Sequence, residues 1–319
     1  MLTGKTSYTF SAFALLALVA CASHLAPAEA QTLRLPRPSQ KASVMQTVGV
    51  TDIRITYSRP GVKGRRIWGD PPAGAPPGEA TLDSQLTRPK DAVIVPYGHV
   101  WRAGANEATL FEVTDDVLIN GQPLPAGRYS LHAIPGPAEW TIIFNRDDGQ
   151  WGSFSYDAKK DALRVKAKPE AAAENQEWLA YFIDPVAENS ARVNLRWERL
   201  RVPFTVEVKD VNALTLEKAR AAVTAAKPDD WRTPLQAANY AFQNNNPSDD
   251  EEAMRWLEQS LKVKETFQNM YTKARVLAAQ GKTADAIAAG ERALALGREA
   301  KADTSDLEKR LSEWKAKRQ

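Results

Sequence analysis

Hydrophobic and polar residues alternate along the first two thirds of the chain with the period of two that is typical of β-strands. Between residues 44 and 57, for example, β-branched residues alternate with polar ones. We therefore predict an antiparallel β-sandwich or jelly-roll domain over residues 41–209, preceded by a linker over residues 31–40. Further strand-like segments, separated by turns rich in Gly and Pro, are 92–95, 108–113, 117–119, 129–133, 140–145, 163–167, 179–183, 191–200 and 202–208.

Beyond Val208 the apolar period becomes that of helices, and Ala, Leu, Glu and Lys replace Val, Thr and Pro. Residues 253–261 align with residues 286–294, 33 positions further along the chain. Gly281 lies between two such segments, where glycine commonly ends a helix. The pattern resembles the tetratricopeptide repeat, a helix pair of about 34 residues.

The helical region, residues 210–301, accommodates two such units, at about 232–264 and 265–298. A closing helix is predicted over residues 302–319. Two units are fewer than the roughly three that stack stably alone. We therefore expect the repeats to pack on the β-domain or on a protein partner.

The start of the chain, residues 1–30, has the features of an export signal, with Lys5 ahead of a short apolar stretch over residues 10–20. Cleavage after Ala30 would release a soluble periplasmic or secreted protein. Alternatively, the tetrapeptide Leu-Val-Ala-Cys, which ends at Cys21, resembles the lipoprotein box and would attach the protein to the membrane through acyl chains. Both routes predict an extracytoplasmic protein.

Composition excludes several classes of function. The net charge is only +3 and the basic residues are interleaved with acidic ones, so no nucleic-acid partner is expected. Of the three histidines, His24 lies in the signal region, which leaves His99 and His132. These are too few for a zinc or copper site with three nitrogen or sulfur ligands, and no cofactor is expected. No familiar catalytic motif is present, so we favour a protein that is not an enzyme, although residue count allows a Ser with His99 or His132.

The densest polar cluster in the sequence is the segment 97–109. Arg102 offers five donors in a planar fork and Trp101 an aromatic face, a set that suits a carboxylate- or sugar-bearing ligand. A second interpretation is that Arg102 and Glu107 neutralise each other while Asn106 shapes a turn. The candidate ligand-binding residues are Tyr97, His99, Trp101, Arg102, Asn106, Glu107, Thr109 and Arg59.

Two other features complete the sequence-based prediction. Residues 70–90 are dense in Pro and Gly, which predicts a long exposed loop. Trp140, Trp151 and Trp197 lie in strand-like contexts, and we expect all three in the core.

Four motifs stand in the β-region: Tyr-Ser-Arg-Pro-x-x-Lys-Gly-Arg-x-Ile (57–67), Val-Pro-Tyr-Gly-x-Val-Trp-Arg-x-Gly-Ala-Asn-Glu-Ala-Thr (95–109), Leu-Pro-Ala-Gly-x-Tyr-Ser-Leu (124–131) and Trp-Gly-x-Phe-x-Tyr (151–156). Together they resemble the bacterial family catalogued as domain of unknown function 2911, over about residues 35–208. The resemblance implies an exported protein, in some members with a similar helical extension, and assigns no reaction. The Pro-rich stretch is longer here than the family pattern leads us to expect.

The sequence is consistent with three functions. The first is an extracytoplasmic binding module, whose β-domain holds a small-molecule or glycan ligand near Arg102 while the repeats contact a protein. The second is a hydrolase of an envelope polymer that uses carboxylates near Glu107. The third is a structural scaffold without a ligand.

Overall fold

The computed structural model describes residues 35–83, 91–244 and 247–317. The predicted signal peptide, Cys21 and residues 84–90 of the Pro-rich stretch lie outside the described residues. The described chain forms an antiparallel β-domain followed by six helices, which confirms the predicted fold class.

The secondary-structure elements occur in a simple order, with all strands before all long helices. The strands are β1 (Gln40–Val48), β2 (Thr51–Arg59), β3 (Trp68–Gly69), β4 (Val95–Pro96), β5 (Thr109–Val113), β6 (Val117–Ile119), β7 (Gln122–Leu124), β8 (Gly127–Ile134), β9 (Trp140–Asn145), β10 (Asp161–Ala167), β11 (Glu170–Ala187) and β12 (Ser190–Glu207). The helices are α1 (Val211–Thr224), α2 (Arg232–Gln243), α3 (Pro247–Val263), α4 (Phe267–Ala279), α5 (Thr283–Glu299) and α6 (Ser305–Lys317). Among the helices that the structure describes, none is long and apolar enough to cross a membrane.

Two antiparallel sheets pack face to face around one core. The larger has the strand order β1-β2-β5-β8-β9-β10, and the smaller has the order β11-β12-β6-β7. Strand alternation supplies the core: Ile53, Ile55 and Tyr57 of β2 are buried, whereas Arg54 between them is exposed. β3 and β4 form a separate parallel pair of two residues each.

Four tryptophans meet in this core. The Trp68 ring packs edge-on against those of Trp101, Trp140 and Trp197, with centroid distances of 5.7, 5.1 and 5.5 Å. Trp140 and Trp197, which are 1% and 0% exposed, are therefore core residues as predicted. Edge-on ring pairs of this kind stabilise a core beyond the area that they bury.

The last two strands differ from the sequence-based prediction. The segments predicted as separate strands at 191–200 and 202–208 are one 18-residue strand, β12, and the segment 179–183 is the middle of an equally long β11. Register shifts between Ala171 and Ala180, and a positive φ of 53° at Glu198, bend the pair without ending it. The predicted break at Arg201 is absent, because Arg201 is paired with Glu170 of β11.

Both faces of the central strands β8 and β9 are buried. Tyr129 and Leu131 of β8 face the main core, but Ser130 and His132 on the opposite face are fully buried as well. Two loops cover this outer face, because residues 97–108 and 146–157 lie across it. The candidate site lies where these two loops meet.

The helical region contacts the β-domain through α1. Lys218 Nζ donates to Val50 O at 3.0 Å and to the Asp115 carboxylate at 2.7 Å. Val211 packs on Gly49, where φ is +59° and a Cβ would come within 2.6 Å of the valine side chain. This contact therefore requires glycine at the β1–β2 turn.

Beyond α1, two helix pairs follow, α2 with α3 and α4 with α5. Ala253 and Ala286, which are 33 positions apart, are both 0% exposed, and Leu257 and Gly290 are an equivalent buried pair. Residues that the predicted 33-residue offset aligns are therefore buried in both helix pairs. α6 packs its Leu311 side chain against Gly290 of α5.

Replacing Ala286 by Trp tests this packing. Ala286 is fully buried, so a large ring overpacks the pair and should lower the free energy of unfolding by about 1–3 kcal/mol. The control is Ala288→Trp, on the exposed side of the same helix. Urea denaturation measures both, and equal stability of the two variants would show that the repeat register is wrong.

Candidate functional site

The aromatic residue of the 97–109 motif lies in the core. Trp101 forms a ladder bridge to Ala133 through two backbone hydrogen bonds of 2.8 and 2.9 Å, and its indole Nε1 donates to Gly104 O at 3.1 Å. The ring stacks on Trp197 with a centroid distance of 6.0 Å and is 4% exposed. A ligand cannot reach its face, so the interpretation of Trp101 as a stacking platform is wrong.

Two further candidates are also buried. Thr109 is 0% exposed, and its hydroxyl donates to Ala103 O at 2.9 Å, the same oxygen that accepts from the Tyr181 hydroxyl. His99 is 5% exposed, with Nδ1 2.8 Å from Ala80 O. Thr109 thus closes a turn, and His99 holds the Pro-rich segment, which is anchored at this point rather than freely exposed.

Tyr97 and Arg59 connect segments of the β-domain. The Tyr97 backbone N–H donates to Gly69 O at 2.8 Å, and Tyr97 is half-buried. Arg59 Nε donates to Leu179 O at 2.8 Å and so joins β2 to β11 across the edge of the sandwich. The structure gives both residues a role in holding the fold.

Arg102 forms a nearly buried ion pair. Its Nε lies 3.0 Å from the Asp83 carboxylate, and its NH1 donates to Asn106 O at 2.6 Å. The two charged side chains are only 12% and 10% exposed. The sequence-based interpretation that Arg102 neutralises Glu107 is therefore wrong. The charge partner of Arg102 is Asp83, from the Pro-rich segment.

The Arg102 guanidinium also supports the loop of residues 146–157. Gly152, with φ of +68°, lies directly against it, and a Cβ there would come within 2.8 Å of Arg102 Cζ. The Phe154 ring lies 5.2 Å from the guanidinium carbon. Gly152 N–H donates to Asn106 O at 2.9 Å, the oxygen that Arg102 also contacts. Arg102 therefore fixes both loops at one point.

The paired loops place Glu107 opposite Trp151. Ala108 N–H donates to Gln150 O at 3.0 Å, and Glu107 and Trp151 form an antiparallel bridge. Directly opposed residues of such a bridge project to the same side. Trp151 is 51% exposed, so its predicted place in the core is wrong. The neighbouring Gly149 and Gly152 were the sequence signal for a loop here.

Glu107 faces an open cleft of about 190 Å³ on the outer face of the larger sheet. The polar residues that line it come from β1, β2, β8 and the two loops. They are Lys41, Thr56, Tyr57, Ser58, Glu107, Arg128, Asp148 and Gln150.

The Glu107 carboxylate is held as an anion. Burial would raise its pKa, but the hydrogen bond from Arg37 and the nearby charges of Arg37 and Lys41 lower that pKa below its ordinary value. Arg37 NH1 lies 2.6 Å from Glu107 Oε1, and the Ser58 hydroxyl lies 3.5 Å from the other carboxylate oxygen. At neutral pH Glu107 is therefore a hydrogen-bond acceptor only.

Arg128 balances the acidic residues at the other end of the cleft. Its Nε donates to Asp148 at 2.7 Å and its NH1 to Glu112 at 3.0 Å. The charges of the cleft are thus largely paired with each other. Such a surface suits a ligand with hydroxyl groups better than one with a large net charge.

Gln150 supplies an acceptor that lacks a donor. The side chain is 7% exposed, and its Nε2 donates to Asp147 O at 3.2 Å. Its Oε1 is buried without a hydrogen-bond donor among the described residues, although Gln150 borders the cleft. Buried acceptors are normally satisfied by protein, water or ligand. This oxygen is closed to solvent, so it lies beneath the surface of the cleft and is not presented to a ligand in this conformation.

Comparison with known families bears on the domain that contains this cleft. A family model described as a protein of unknown function (DUF2911) matches residues 39–206, just over half of the chain. The chain belongs to this family. The match covers the DUF2911 domain and ends before the helices, for which no family match supports the tetratricopeptide resemblance.

Two further comparisons gave no match. No curated protein and no solved structure is similar to this chain. Within the described residues, no group of three or more His, Cys, Asp and Glu side chains could hold a metal ion.

A second polar cluster of the DUF2911 domain is closed to solvent. The two ring nitrogens of His132 lie 3.0 Å from the Ser130 hydroxyl and 3.1 Å from the Ser153 hydroxyl. All three residues are 0% exposed, and burial lowers the pKa of His132 to about 4, so the ring is neutral at pH 7. A substrate cannot reach either hydroxyl in this conformation. The cluster joins β8 to the loop that carries Trp151.

Replacing Arg102 by Ala tests its structural role. The substitution leaves Asp83 nearly buried without its partner, so the free energy of unfolding should fall by about 2–4 kcal/mol. Arg128→Ala is the control, because that ion pair is exposed and its loss should change stability little. Urea denaturation measures both. An Arg102→Ala variant that keeps wild-type stability but loses ligand binding would return Arg102 to the list of ligand-binding residues.

Proposed function

We propose that the DUF2911 domain of this protein is an extracytoplasmic binding module whose cleft takes a glycan. The observation that carries the proposal is the pairing of Trp151 with Glu107, which sets a half-exposed indole beside an ionised carboxylate that itself lines an open polar cleft. A large exposed aromatic side chain on a fixed loop is more typical of recognition than of packing.

The groups around the cleft match the chemistry of a sugar. The C–H face of a sugar ring packs on an indole, while its hydroxyls donate to carboxylate and amide oxygens. Glu107 supplies such an acceptor, and Lys41 and Arg128 supply donors. The cleft volume of about 190 Å³ favours one or two sugar units, with the remainder of a polymer extending into solvent.

The two alternatives have weaker support. A hydrolase with two carboxyls needs one of them protonated as the acid, whereas the lowered pKa of Glu107 keeps it ionised at neutral pH. Asp148, the other carboxylate of the cleft, is paired with Arg128. A scaffold without a ligand explains the Arg102–Asp83 pair but gives no reason for a half-exposed Trp151.

For the helical region we propose a role in protein contact. The two helix pairs resemble tetratricopeptide units, and polar contacts join neighbouring helices. The buried Thr272 hydroxyl of α4 donates to Asn239 of α2 at 3.1 Å, and Tyr271 of α4 donates to Asp306 of α6. Hydrogen bonds from Tyr271 and Arg310, with the nearby charge of Arg275, lower the pKa of Asp306. The exposed cluster around Asp306 suits an extended segment of a protein partner.

Replacing Trp151 by Ala tests the glycan site. Loss of a stacking ring should raise Kd for a bound oligosaccharide about 3- to 10-fold. The measurement is calorimetric titration with N-acetylglucosamine tetramer, maltotetraose and soluble fragments of the cell-wall polymer. Trp178→Ala is the matched control, because Trp178 is 39% exposed and pairs with Gly61, whereas Trp151 pairs with Glu107 of the cleft. Binding that is unchanged in Trp151→Ala, or absent throughout the panel in the wild type, would contradict the proposal.

The proposed location has its own test at the N-terminus. Intact mass of the mature protein should show either an unmodified chain that starts at Gln31 or an acylated chain that starts at Cys21. In the second case Cys21→Ser should move the protein from the detergent phase to the aqueous phase. A mature chain that still contains residues 1–20 would contradict export.

A further inference from the structure

We propose that residues 35–39 form a strap that regulates the cleft, with Arg37 as an internal ligand that an incoming ligand must displace. The inference rests on the proposed function for the identity of the external ligand. The contacts of Arg37 that support the strap proposal do not depend on which external ligand binds.

Arg37 occupies both groups that the proposed glycan would use. Its NH1 lies 2.6 Å from Glu107 Oε1, and its guanidinium carbon lies 5.7 Å from the centre of the Trp151 ring. One side chain thus pairs with the carboxylate and lies over one face of the indole, which stays half-exposed elsewhere. A sugar ring cannot stack on that indole face while the guanidinium lies there.

The sequence of the strap explains how Arg37 is presented. Pro36 and Pro38 flank it, and neither has a backbone N–H to continue the ladder of β1. The strand accordingly begins only at Gln40, and the preceding segment is free to turn toward Glu107, which lines the cleft. Asn106 Nδ2 donates to Ser39 O at 3.1 Å and fixes the base of the strap.

The contacts of Arg37 are weak enough to be reversible. Arg37 and Glu107 are 47% and 36% exposed, in contrast to the nearly buried Arg102–Asp83 pair. An exposed ion pair and an exposed cation–π contact together change an equilibrium constant by only about 3- to 30-fold. The strap should therefore reduce affinity for an external ligand without abolishing it, and salt should weaken its hold.

The test compares Arg37→Ala with Lys63→Ala in the purified protein. Lys63 is the matched control because its ammonium lies 5.5 Å from the exposed Trp178 ring, away from the cleft. We expect Arg37→Ala to bind the oligosaccharides about 3- to 30-fold more tightly than wild type, and Lys63→Ala to bind them equally. Weaker or unchanged binding by Arg37→Ala would overturn the proposal.

A second probe keeps this test independent of the glycan. N-acetylargininamide, which carries the same guanidinium, should bind the emptied position in Arg37→Ala and shift the NMR signal of the Trp151 indole N–H. It should not shift that signal in wild type or in an Arg37→Ala, Glu107→Gln double variant. If no oligosaccharide binds but Arg37→Ala binds this probe, the strap proposal is supported and the glycan proposal is contradicted. If the probe gives the same response in wild type and Arg37→Ala, the strap proposal is overturned.

Discussion

The ion pair between Arg102 and Asp83 is the interaction on which the candidate site depends. Arg102 lies under three segments at once: the Pro-rich stretch through Asp83, its own loop through Asn106 O, and the loop of Trp151 through Gly152 and Phe154. None of these segments has a regular ladder of its own at this point, and one nearly buried guanidinium contacts all three. Five donors in a rigid plane make arginine suited to such a junction.

The two ion pairs of this region have different consequences because they differ in burial. The Arg102–Asp83 pair is shielded from solvent. Removing one partner leaves the other charge buried and unpaired, which should destabilise the loops. The Arg37–Glu107 pair is open to solvent, so it can break and reform at little energetic cost. The buried Arg102–Asp83 pair holds the loops rigidly, and the exposed Arg37–Glu107 pair can open. Together they give a preorganised surface to which ligand access can be regulated.

Much of the fold was predictable from the sequence, because strand alternation and helical periodicity record which faces are buried. The strands at 140–145 and 117–119 were predicted with the bounds that the structure shows. The single β12 was predicted as two strands divided at Arg201, because that residue is polar, but pairing with Glu170 continues the ladder through it. The candidate site was predicted less well. Arg102 and Glu107 were identified as a pair by proximity in sequence, but their partners, Asp83 and Arg37, come from segments without periodicity.

The central claim is that the Arg102–Asp83 ion pair positions the Trp151 loop. The Gly152 amide tests it most directly, because Gly152 N–H donates to Asn106 O, the oxygen that Arg102 also contacts. Amide hydrogen exchange of Gly152 should be compared in wild type and Asp83→Asn, which removes the charge and keeps the shape. We predict that Gly152 loses protection at least about 10-fold in the variant, while the amide of Leu131 in β8 keeps its protection. Equal protection of Gly152 in both proteins would show that the loop is positioned without the ion pair and would contradict this account.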